Sequence, residues 1–346
     1  MNNRIIGLDL LRSIIMLFGP TFHTSMLIAG AFGFRGMVVQ SEITHDILNY
    51  THPFRMSLFF LISGFFAALL ISKKSSQYYI QNRIQRLIRP TIFSLVTILP
   101  ITILFIVYLQ GFTQLSYHIS LRHLWFLVLL SVISAITFFN PQFFVEKAQK
   151  CALKLSRFNY IGIFFIIYFV VCAIRLIADW LSNIFLVSYL QIPSVVGYCL
   201  SFFIGMILFF IEKRPSFFTI ISAIIFFTVW YVLSRIDDYV FILGAWSDSV
   251  QLFFTLMMCI SLFNFFRFLN IKGNKLITEM SRIALPFYIV HLPILILVSN
   301  VWLDVSENRS GSLLAIVAVS MNILLSYLVA KFMLKFEFFR RNLGVK

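Results

Sequence analysis

The sequence predicts an all-α polytopic membrane protein. Of its 346 residues, 60% are apolar and only 12% are charged, and the mean hydropathy is +0.93. Soluble domains carry about 25% charged residues, so lipid is the expected solvent for most of this chain. A transmembrane helix needs roughly 20 predominantly apolar residues, and the sequence contains many runs of that length.

Ten apolar stretches are candidate spans, and they leave no segment long enough for a separate soluble domain. They cover residues 8–30, 54–72, 91–109, 121–138, 159–180, 192–211, 217–233, 239–263, 284–302 and 312–334. We therefore interpret residues 1–346 as a single integral membrane domain. The first run is longer than a signal-peptide core and lacks a small-residue cleavage site, so we expect it to stay attached.

The distribution of basic residues predicts the orientation. The net charge is +15, and most Lys and Arg residues fall in alternate loops, whereas acidic residues such as Glu42 and Asp304 fall in the others. By the positive-inside rule, the basic loops and both termini are cytoplasmic. The basic residues form no patch with interleaved aromatic residues, which argues against a nucleic-acid partner.

The sequence contains no motif for a metal, a phosphate loop or a disulfide framework. The four cysteines lie in or beside different predicted spans without a Cys-x-x-Cys spacing, and we interpret them as packing residues. Neither a Gly-rich phosphate loop nor a cluster of metal-ligating residues is visible in the sequence. We therefore expect no metal and no permanently bound cofactor.

The first predicted span contains two ionisable side chains, which are costly in a membrane and mark function by default. Arg12 and His23 are eleven residues apart. That spacing is almost three turns of an ideal helix, so it predicts that both project from one face, about 16 Å apart along the axis. Asp9, three residues before Arg12, could pair with its guanidinium.

A second group of cations precedes Pro90, where the third predicted span begins. Arg83, Arg86 and Arg89 are spaced at threes, which would place guanidiniums on adjacent helical turns and suit phosphate groups. A juxtamembrane basic cluster that contacts anionic lipid headgroups would have the same spacing. The residues alone leave both interpretations open.

The second predicted span combines an arginine with a small-residue step. Arg55 stands at its outer end, and Ser63-Gly64 lie within it. The step would let a neighbouring helix or an acyl chain approach closely. Arg55 could hold an acyl carboxylate, although snorkelling to outer headgroups or an ion pair with Asp46 would also satisfy it.

Two further histidines fall at or within predicted spans. His123 precedes Trp125 at the outer start of the fourth span, where Trp125 could belong to the interfacial aromatic belt and His123 could satisfy polar backbone groups. His291 lies well inside the ninth span. A single intramembrane histidine often serves only a helix-to-helix hydrogen bond, so the joint occurrence of these residues carries the functional interpretation.

The order of these motifs resembles the membrane acyltransferase 3 family from residue 8 to residue 293. The resemblance rests on Leu8-Asp9-Leu10-Leu11-Arg12 with His23, on Phe59-Phe60-Leu61-Ile62-Ser63-Gly64-Phe65, on Arg83-x-x-Arg86 ahead of Pro90, and on Tyr288-Ile289-Val290-His291-Leu292-Pro293. Within the family, the segments Pro53–Met56 and His123–Leu127 resemble a subgroup believed to succinylate periplasmic glucans. Ala284 and Pro286 depart from relatives that often have a serine and no proline there.

The resemblance implies roles for individual residues. His23 is expected to be the catalytic histidine with Arg12 as its partner, and Arg83 and Arg86 are expected to hold the phosphates of an acyl-coenzyme A. Many relatives carry an additional soluble acyl-transferring domain, and we expect none here because the predicted spans leave no segment long enough for one. We assign the remaining candidates as Asp9 beside the catalytic pair, Arg89 with the phosphate-binding arginines, and Arg55, Ser63, His123, Trp125 and His291 at an acceptor or acyl-group site.

We therefore predict a multi-pass O-acyltransferase of the bacterial inner membrane. It would move an acyl group from cytosolic acyl-coenzyme A, as co-substrate, to a carbohydrate hydroxyl at the outer face, with succinyl-CoA and periplasmic glucan as the leading pair. His23 could take the hydroxyl proton as it attacks the thioester, because the unperturbed imidazole pKa lies near the working pH.

Two alternatives remain at this point. Within the same class, acetyl-CoA could supply an acetyl group to lipopolysaccharide O-antigen or another surface glycan. In a different class, a polytopic transporter or flippase would share the spans and the intramembrane charges, although no symmetry between two halves is visible. Membrane lipid is the surrounding partner, and the sequence leaves both a monomer and a homo-oligomer open.

Overall fold

The structure is a computed structural model that describes residues 5–29, 42–110, 121–185, 192–236, 247–306 and 310–345, and these residues are mostly helical. The first eight α-helices are α1 (Ile6–Leu17), α2 (Gly19–Ile28), α3 (Glu42–Asn49), α4 (His52–Lys73), α5 (Ser76–Arg83), α6 (Arg89–Val96), α7 (Ile98–Gln110) and α8 (Trp125–Phe138). The next eight are α9 (Pro141–Leu155), α10 (Tyr160–Phe185), α11 (Ile192–Phe210), α12 (Phe217–Leu233), α13 (Ser247–Arg267), α14 (Lys275–Val305), α15 (Gly311–Met333) and α16 (Glu337–Asn342). A π turn (Ile84–Ile88) joins α5 to α6, and a 3₁₀ turn (Arg122–Leu124) precedes α8.

The helices confirm a multi-pass membrane fold. Six helical segments of the described chain are long and apolar enough to cross a membrane, or seven if the sharply bent pair 122–138 and 141–155 is one span, and three shorter apolar helices accompany them. The predicted number of ten spans and the cytoplasmic position of both termini stay predictions. The beginning of the predicted span at 239–263 lies outside the described residues.

The chain divides into two compact units. Unit 1 comprises residues 1–8, 53–80 and 133–271, and unit 2 comprises residues 9–52, 81–132 and 272–346. The prediction of a single domain over the whole chain stays a prediction.

In unit 1, α4 and α11 cross with their backbones in contact. A Cβ placed on Gly64 of α4 would lie 1.8 Å from the carbonyl oxygen of Phe202, and one on Gly205 of α11 would lie 1.9 Å from that of Leu61. Such contacts admit only glycine, as expected for helices that approach closely in a membrane. The small-residue step predicted at Ser63-Gly64 therefore serves a neighbouring helix.

Arg267 at the end of α13 also stabilises unit 1. Its Nη1 donates hydrogen bonds to the carbonyl oxygens of Leu208 and Ile211, at 2.5 and 2.9 Å. These carbonyls lie at the end of α11, where the last turn has no intrahelical donors. The guanidinium stands 5.0 Å from the ring centroid of Phe65, so one cation caps α11 and covers an aromatic ring of α4.

In unit 2, the 31-residue helix α14 packs against α2, α7 and α15. A fully buried apolar cluster holds these four helices together. Its buried members are Leu27, Ile106, Leu292, Leu295, Ile296, Leu314 and Ala318. Helix α14 begins where the Asn274 side chain accepts a hydrogen bond from the Ile277 amide at 2.8 Å. It contains Pro286 and Pro293, and each proline leaves the carbonyl four residues earlier without its usual helical donor.

The first predicted span is interrupted in the structure. Helix α1 ends at Leu17 and α2 begins at Gly19, with Phe18 between them at φ −80° and ψ −1°. Pro20 explains the break because it lacks the amide hydrogen that would bond to the carbonyl of Met16. The two helices still form one candidate span, Ile6–Ile28. The placement of Arg12 and His23 on one face stays a prediction.

Candidate functional site

Three histidines from different elements of unit 2 meet in its interior. His23 comes from α2, His123 from the 3₁₀ turn and His291 from α14. The ring centroids are 5.1 Å apart for His23 and His291, 5.1 Å for His123 and His291, and 6.3 Å for His23 and His123. All three are buried, with 7%, 1% and 1% of their surface exposed, respectively. We call this group the histidine cluster.

His291 is oriented by its own helix. Its Nδ1 lies 2.5 Å from the carbonyl oxygen of Tyr288. A carbonyl only accepts hydrogen bonds, so Nδ1 carries the hydrogen and Nε2 carries the lone pair. A Cβ placed on Gly19 would stand 3.5 Å from Nε2. Because Gly19 and His23 are one turn apart on α2, the acceptor nitrogen of His291 faces the side of α2 that holds His23.

His123 is held by a carbonyl that a proline has released. Its Nε2 lies 2.9 Å from the carbonyl oxygen of Ile289, which is four residues before Pro293 and lacks a helical donor. The hydroxyl of Tyr288 in turn donates to the carbonyl oxygen of His123. His123 therefore does satisfy polar backbone, as the structural interpretation of the sequence proposed, and it does so beside the other two histidines.

The backbone before His123 adopts an uncommon conformation. Arg122 has φ +48°, the only positive φ among the described residues other than glycine. Left-handed backbone is unfavourable for an L-residue with a long side chain, and such residues cluster at functional sites. The 3₁₀ turn that inserts His123 into unit 2 therefore has an energetic cost that the hydrogen bonds of His123 and Tyr288 help to offset.

Hydrogen bonds to backbone carbonyls indicate the tautomers of two members of the histidine cluster. The Nε2–H of His123 donates to the carbonyl oxygen of Ile289, so Nδ1 of His123 carries the lone pair. In His291, Nδ1 donates and Nε2 carries the lone pair. Nδ1 of His123 has no hydrogen-bond partner among the described residues.

Two polar residues of α15 support His291 and were missed in the sequence analysis. The side-chain amide of Asn322 donates to the carbonyl oxygen of His291 at 3.0 Å, and the hydroxyl of Ser326 donates to Oδ1 of Asn322 at 2.6 Å. Both are fully buried. Their four-residue spacing within an otherwise apolar span is the signal that would have revealed them.

A second polar group lies near the C-terminal end of α2. Oγ of Ser25 lies 2.8 Å from Nδ1 of His45 and accepts a hydrogen bond from the side-chain amide of Asn49, also at 2.8 Å. The ring of His52 stacks on that of Phe22 at 3.6 Å. These contacts fasten α3 and the beginning of α4 to the helix that carries His23.

The acidic residue of the first motif bonds to α14. Oδ1 of Asp9 accepts a hydrogen bond from the hydroxyl of Ser281 at 3.0 Å, and Asp9 is 7% exposed. Arg12 is half-buried on the same helix. Pairing of Asp9 with Arg12 stays a prediction.

We call the part of unit 2 from Arg83 to Arg89 the arginine segment, and it is not a regular α-helix. The π turn covers residues 84–88, so Arg86 lies within it while Arg83 and Arg89 flank it. The segment is helical throughout, but the π turn alters the spacing of the three guanidiniums, because it spaces side chains differently from a 3.6-residue helix. Arg86 is exposed, and Arg83 and Arg89 are half-buried. Binding of phosphates by these residues stays a prediction.

The other candidates are divided between the units. Arg55, 2% exposed, and Ser63, 8% exposed, are buried in α4 of unit 1. Snorkelling of Arg55 to headgroups does not fit this burial. Trp125 is half-buried at the start of α8 in unit 2. No group of three His, Cys, Asp or Glu side chains in the described part of the chain is arranged as a metal site.

Comparison with known proteins shows the family to which the chain belongs. The profile of the acyltransferase domain family, acyltransferase 3 type, matches residues 5–331. The chain belongs to the acyltransferase 3 family. It is therefore a multi-pass membrane acyltransferase, and the resemblance drawn from the ordered motifs is confirmed.

The acyltransferase is also similar to curated relatives of bacterial origin. It is 22% identical over 351 residues to the glucans biosynthesis protein C of Salmonella typhi and of Salmonella typhimurium, which covers 90% of this chain and 88% of each relative. The protein of that name from Salmonella paratyphi A is similar to the same extent. No solved structure matches the acyltransferase significantly.

The family match encloses the histidine cluster and the arginine segment, which both lie within residues 5–331. A buried cluster of neutral imidazoles can accept and pass a proton in a site from which water is largely excluded. This is the chemistry that an acyltransferase needs to activate a hydroxyl or amine acceptor.

Proposed function

We propose that this acyltransferase transfers an acyl group from cytosolic acyl-coenzyme A to a carbohydrate hydroxyl at the outer face of the bacterial inner membrane. Succinyl transfer to a periplasmic glucan is the leading reaction. The printed name of the Salmonella relatives, glucans biosynthesis protein C, supports a glucan as the acceptor. The motifs Pro53–Met56 and His123–Leu127 support succinyl as the acyl group.

The observation that carries the proposal is the position of His23. Its ring centroid lies 6.3 Å from that of His123 and 5.1 Å from that of His291, and all three side chains are buried. A neutral imidazole near such partners can take a proton from a hydroxyl and then share it within the cluster. Removal of the hydroxyl proton in the transition state contributes about 10²–10⁴-fold to a rate.

The proposed step balances without a metal or a redox partner. The sugar oxygen attacks the thioester carbonyl carbon while His23 takes the hydroxyl proton, which gives a tetrahedral intermediate. Collapse breaks the carbon–sulfur bond, and the coenzyme leaves as a thiolate that takes up a proton. Products are the ester and coenzyme A. If His23 itself accepts the acyl group first, its ring nitrogen displaces the thiolate to give an acyl-imidazole. The sugar oxygen then breaks that carbon–nitrogen bond, and the released imidazole takes up the hydroxyl proton.

The arginine segment provides the proposed donor site. Coenzyme A carries phosphates, and guanidiniums bind phosphates through paired hydrogen bonds and charge. Arg83, Arg86 and Arg89 lie together in unit 2, which also holds the histidine cluster. The coenzyme acts as a co-substrate, so no cofactor remains bound between turnovers.

Acyl transfer by the purified protein tests the proposal. The acyltransferase, reconstituted in vesicles, is given succinyl-CoA or acetyl-CoA on the side of the arginine segment and glucan oligosaccharides on the other. We expect release of free coenzyme A thiol that depends on the glucan, and a glucan mass increased by one succinyl group. Vesicles with His23→Ala protein provide the control.

Each other outcome leads to a different assignment. A mass increase of one acetyl group would overturn the succinyl assignment and favour a surface-glycan O-acetyltransferase. Movement of glucan or acyl donor across the vesicle membrane without ester formation would overturn the proposed reaction. Mass spectrometry of envelope glycans from cells with and without the gene tests the acceptor in its natural setting.

A further inference from the structure

The C-terminal segment, Glu337–Val345, packs onto the arginine segment of unit 2. The ring of Phe93 in α6 contacts those of Phe338 and Phe339, with centroids 5.9 and 6.1 Å away. Leu343 is 1% exposed. The end of the chain is therefore anchored by apolar contacts beside Arg83, Arg86 and Arg89.

A side-chain hydrogen bond joins the arginine segment to the C-terminal segment. Nε of Arg89 donates to Oδ1 of Asn342 at 3.2 Å. The other end of the same amide, Nδ2 of Asn342, donates to the carbonyl oxygen of Phe338 at 3.0 Å. Both ends of the amide are used, so its oxygen is fixed toward Arg89, and this bond restricts the orientation of the guanidinium.

Gly344 brings the backbone of the segment onto the π turn. It has φ +63°, and a Cβ there would lie 2.4 Å from the carbonyl oxygen of Gln85 and 2.8 Å from Cα of Arg86. The neighbouring Val345 amide donates to the carbonyl oxygen of Arg340 at 3.0 Å, which closes the turn around Gly344. Only glycine combines this conformation with this contact.

The turn that the C-terminal segment contacts is of an uncommon kind. A π turn is rare and is frequently found at functional sites, where it displaces a side chain from its regular helical position. Here the π turn carries Arg86, and the C-terminal segment rests on it. The family profile matches residues 5–331, so the segment lies beyond the matched part of the chain.

We propose that the C-terminal segment is a positioning element of the donor site, in which Asn342 orients Arg89 and Gly344 holds the π turn that presents Arg86. The inference rests on the proposed binding of acyl-coenzyme A by these arginines. Because its contacts reach Arg89 and the π turn that carries Arg86, the segment acts on donor affinity and leaves the acyl-transfer step unchanged.

Coenzyme A binding and steady-state kinetics of the full-length protein in nanodiscs test the proposal. Asn342→Leu removes the acceptor for Arg89, so we expect the Kd for coenzyme A and the KM for succinyl-CoA to rise roughly tenfold, the effect of losing one hydrogen bond to a charged group. The kcat and the KM for the glucan should stay within about twofold of the parent values. Asn342→Gln retains a neutral amide oxygen as acceptor and should restore most of the affinity.

Two further variants make the test specific. Gly344→Val forces a side chain against the π turn and should raise the same Kd without altering kcat. Lys335→Leu removes an exposed positive charge just before the segment and should leave donor binding unchanged. Thermal unfolding of each variant shows whether the fold is intact.

The outcomes separate this inference from the proposed function. If Arg86→Ala raises the Kd for coenzyme A while Asn342→Leu and Gly344→Val do not, the donor site stands and the positioning role is overturned. If none of the three variants changes coenzyme A binding, the proposed donor site itself is wrong. A fall in kcat with unchanged donor affinity would also overturn the positioning role.

Discussion

The imidazole of His123 donates a hydrogen bond to the carbonyl oxygen of Ile289 at 2.9 Å. That carbonyl is available because Pro293, four residues later, has no amide hydrogen to offer it. A proline in one helix thus creates the acceptor that fixes a histidine from another element. The Tyr288 hydroxyl secures the same histidine through its carbonyl oxygen, so His123 is held at both its ring and its backbone.

Pro293→Ala should loosen His123. Alanine supplies an amide hydrogen to the Ile289 carbonyl, and the restored helical bond competes with the histidine. We expect kcat to fall roughly tenfold, the equivalent of one hydrogen bond, while thermal stability stays close to that of the parent. Pro286→Ala, in the same helix, is the control and should affect kcat less. Additive effects of Pro293→Ala and His123→Ala in a double-mutant cycle would contradict the linkage.

His23→Ala should abolish acyl transfer while the protein still inserts and folds. The histidine cluster would lose the residue that we propose as the base, so transfer should fall by about 10²-fold or more. The measurement is release of coenzyme A thiol by protein recovered from membranes. His45→Ala, which alters a histidine on α3 that contacts Ser25, should retain most activity. A small loss in His23→Ala would remove it from the base role, and loss of folded protein would indicate a structural one.

Arg83→Ala combined with Arg86→Ala should weaken donor binding. The KM for acyl-coenzyme A should rise more than the KM for the glycan, because the guanidiniums are expected to contact donor phosphates. Donor affinity of the parent should also fall as salt rises, since such contacts are ionic. Lys147→Ala with Lys150→Ala removes two exposed charges from α9 of unit 1 and serves as the control. Unchanged donor affinity in the arginine variant would leave these residues as lipid contacts.

The sequence allowed prediction of the helical membrane fold and of the residues that carry charge or imidazole within it. Arg12, His23 and His291 stand out because an ionisable group in an apolar span is costly and needs a reason. Pairing across the fold could not be predicted. The partner of His123 depends on which carbonyl of α14 is released and on the distance between elements far apart in the chain.

The sequence analysis missed other features for local reasons. The break at Phe18 follows from Pro20, which was visible in the sequence, but its effect on the Arg12 and His23 geometry was not considered. The π turn at residues 84–88 has no simple periodicity, so Arg86 was assigned to a regular helix. Asn322 was overlooked because an amide in an apolar span is a weaker signal than a charge.

Gly64→Val should destabilise unit 1 without touching the histidine cluster. Its side chain would collide with the Phe202 carbonyl, since even a Cβ would lie 1.8 Å from that oxygen. Overpacking of this kind costs about 1–3 kcal/mol or more, so we expect a clear fall in the thermal unfolding midpoint. Gly197→Ala is the matched control, because its Cβ meets only the flexible end of Leu252 at 3.2 Å. Equal stability of the two variants would show that α4 and α11 can separate at little cost.

Arg55 provides a test of the acyl group. Its side chain is 2% exposed and lies close enough to Tyr198 to interact with it electrostatically. The ring of Tyr198 stacks on that of Phe60, within the motif Phe59–Phe65, and the two ring centroids are 4.9 Å apart. A guanidinium presents a planar fork of donors that matches a carboxylate, and a succinyl group brings a carboxylate that must be satisfied once it leaves water. Arg55 is therefore our candidate for holding the free end of the succinyl chain.

Arg55→Met should then cut succinyl transfer sharply while sparing acetyl transfer, because an acetyl group has no charge to satisfy. Loss of a hydrogen-bonded charge partner predicts a fall in kcat/KM of roughly tenfold or more for succinyl-CoA. Arg55→Lys keeps the charge but not the fork, so its succinyl rate should lie between those of the parent and the methionine variant. Both donors are measured with the same glucan acceptor on protein of matched thermal stability. Equal losses with the two donors would make Arg55 a structural residue of unit 1, and no loss with either would favour acetyl chemistry.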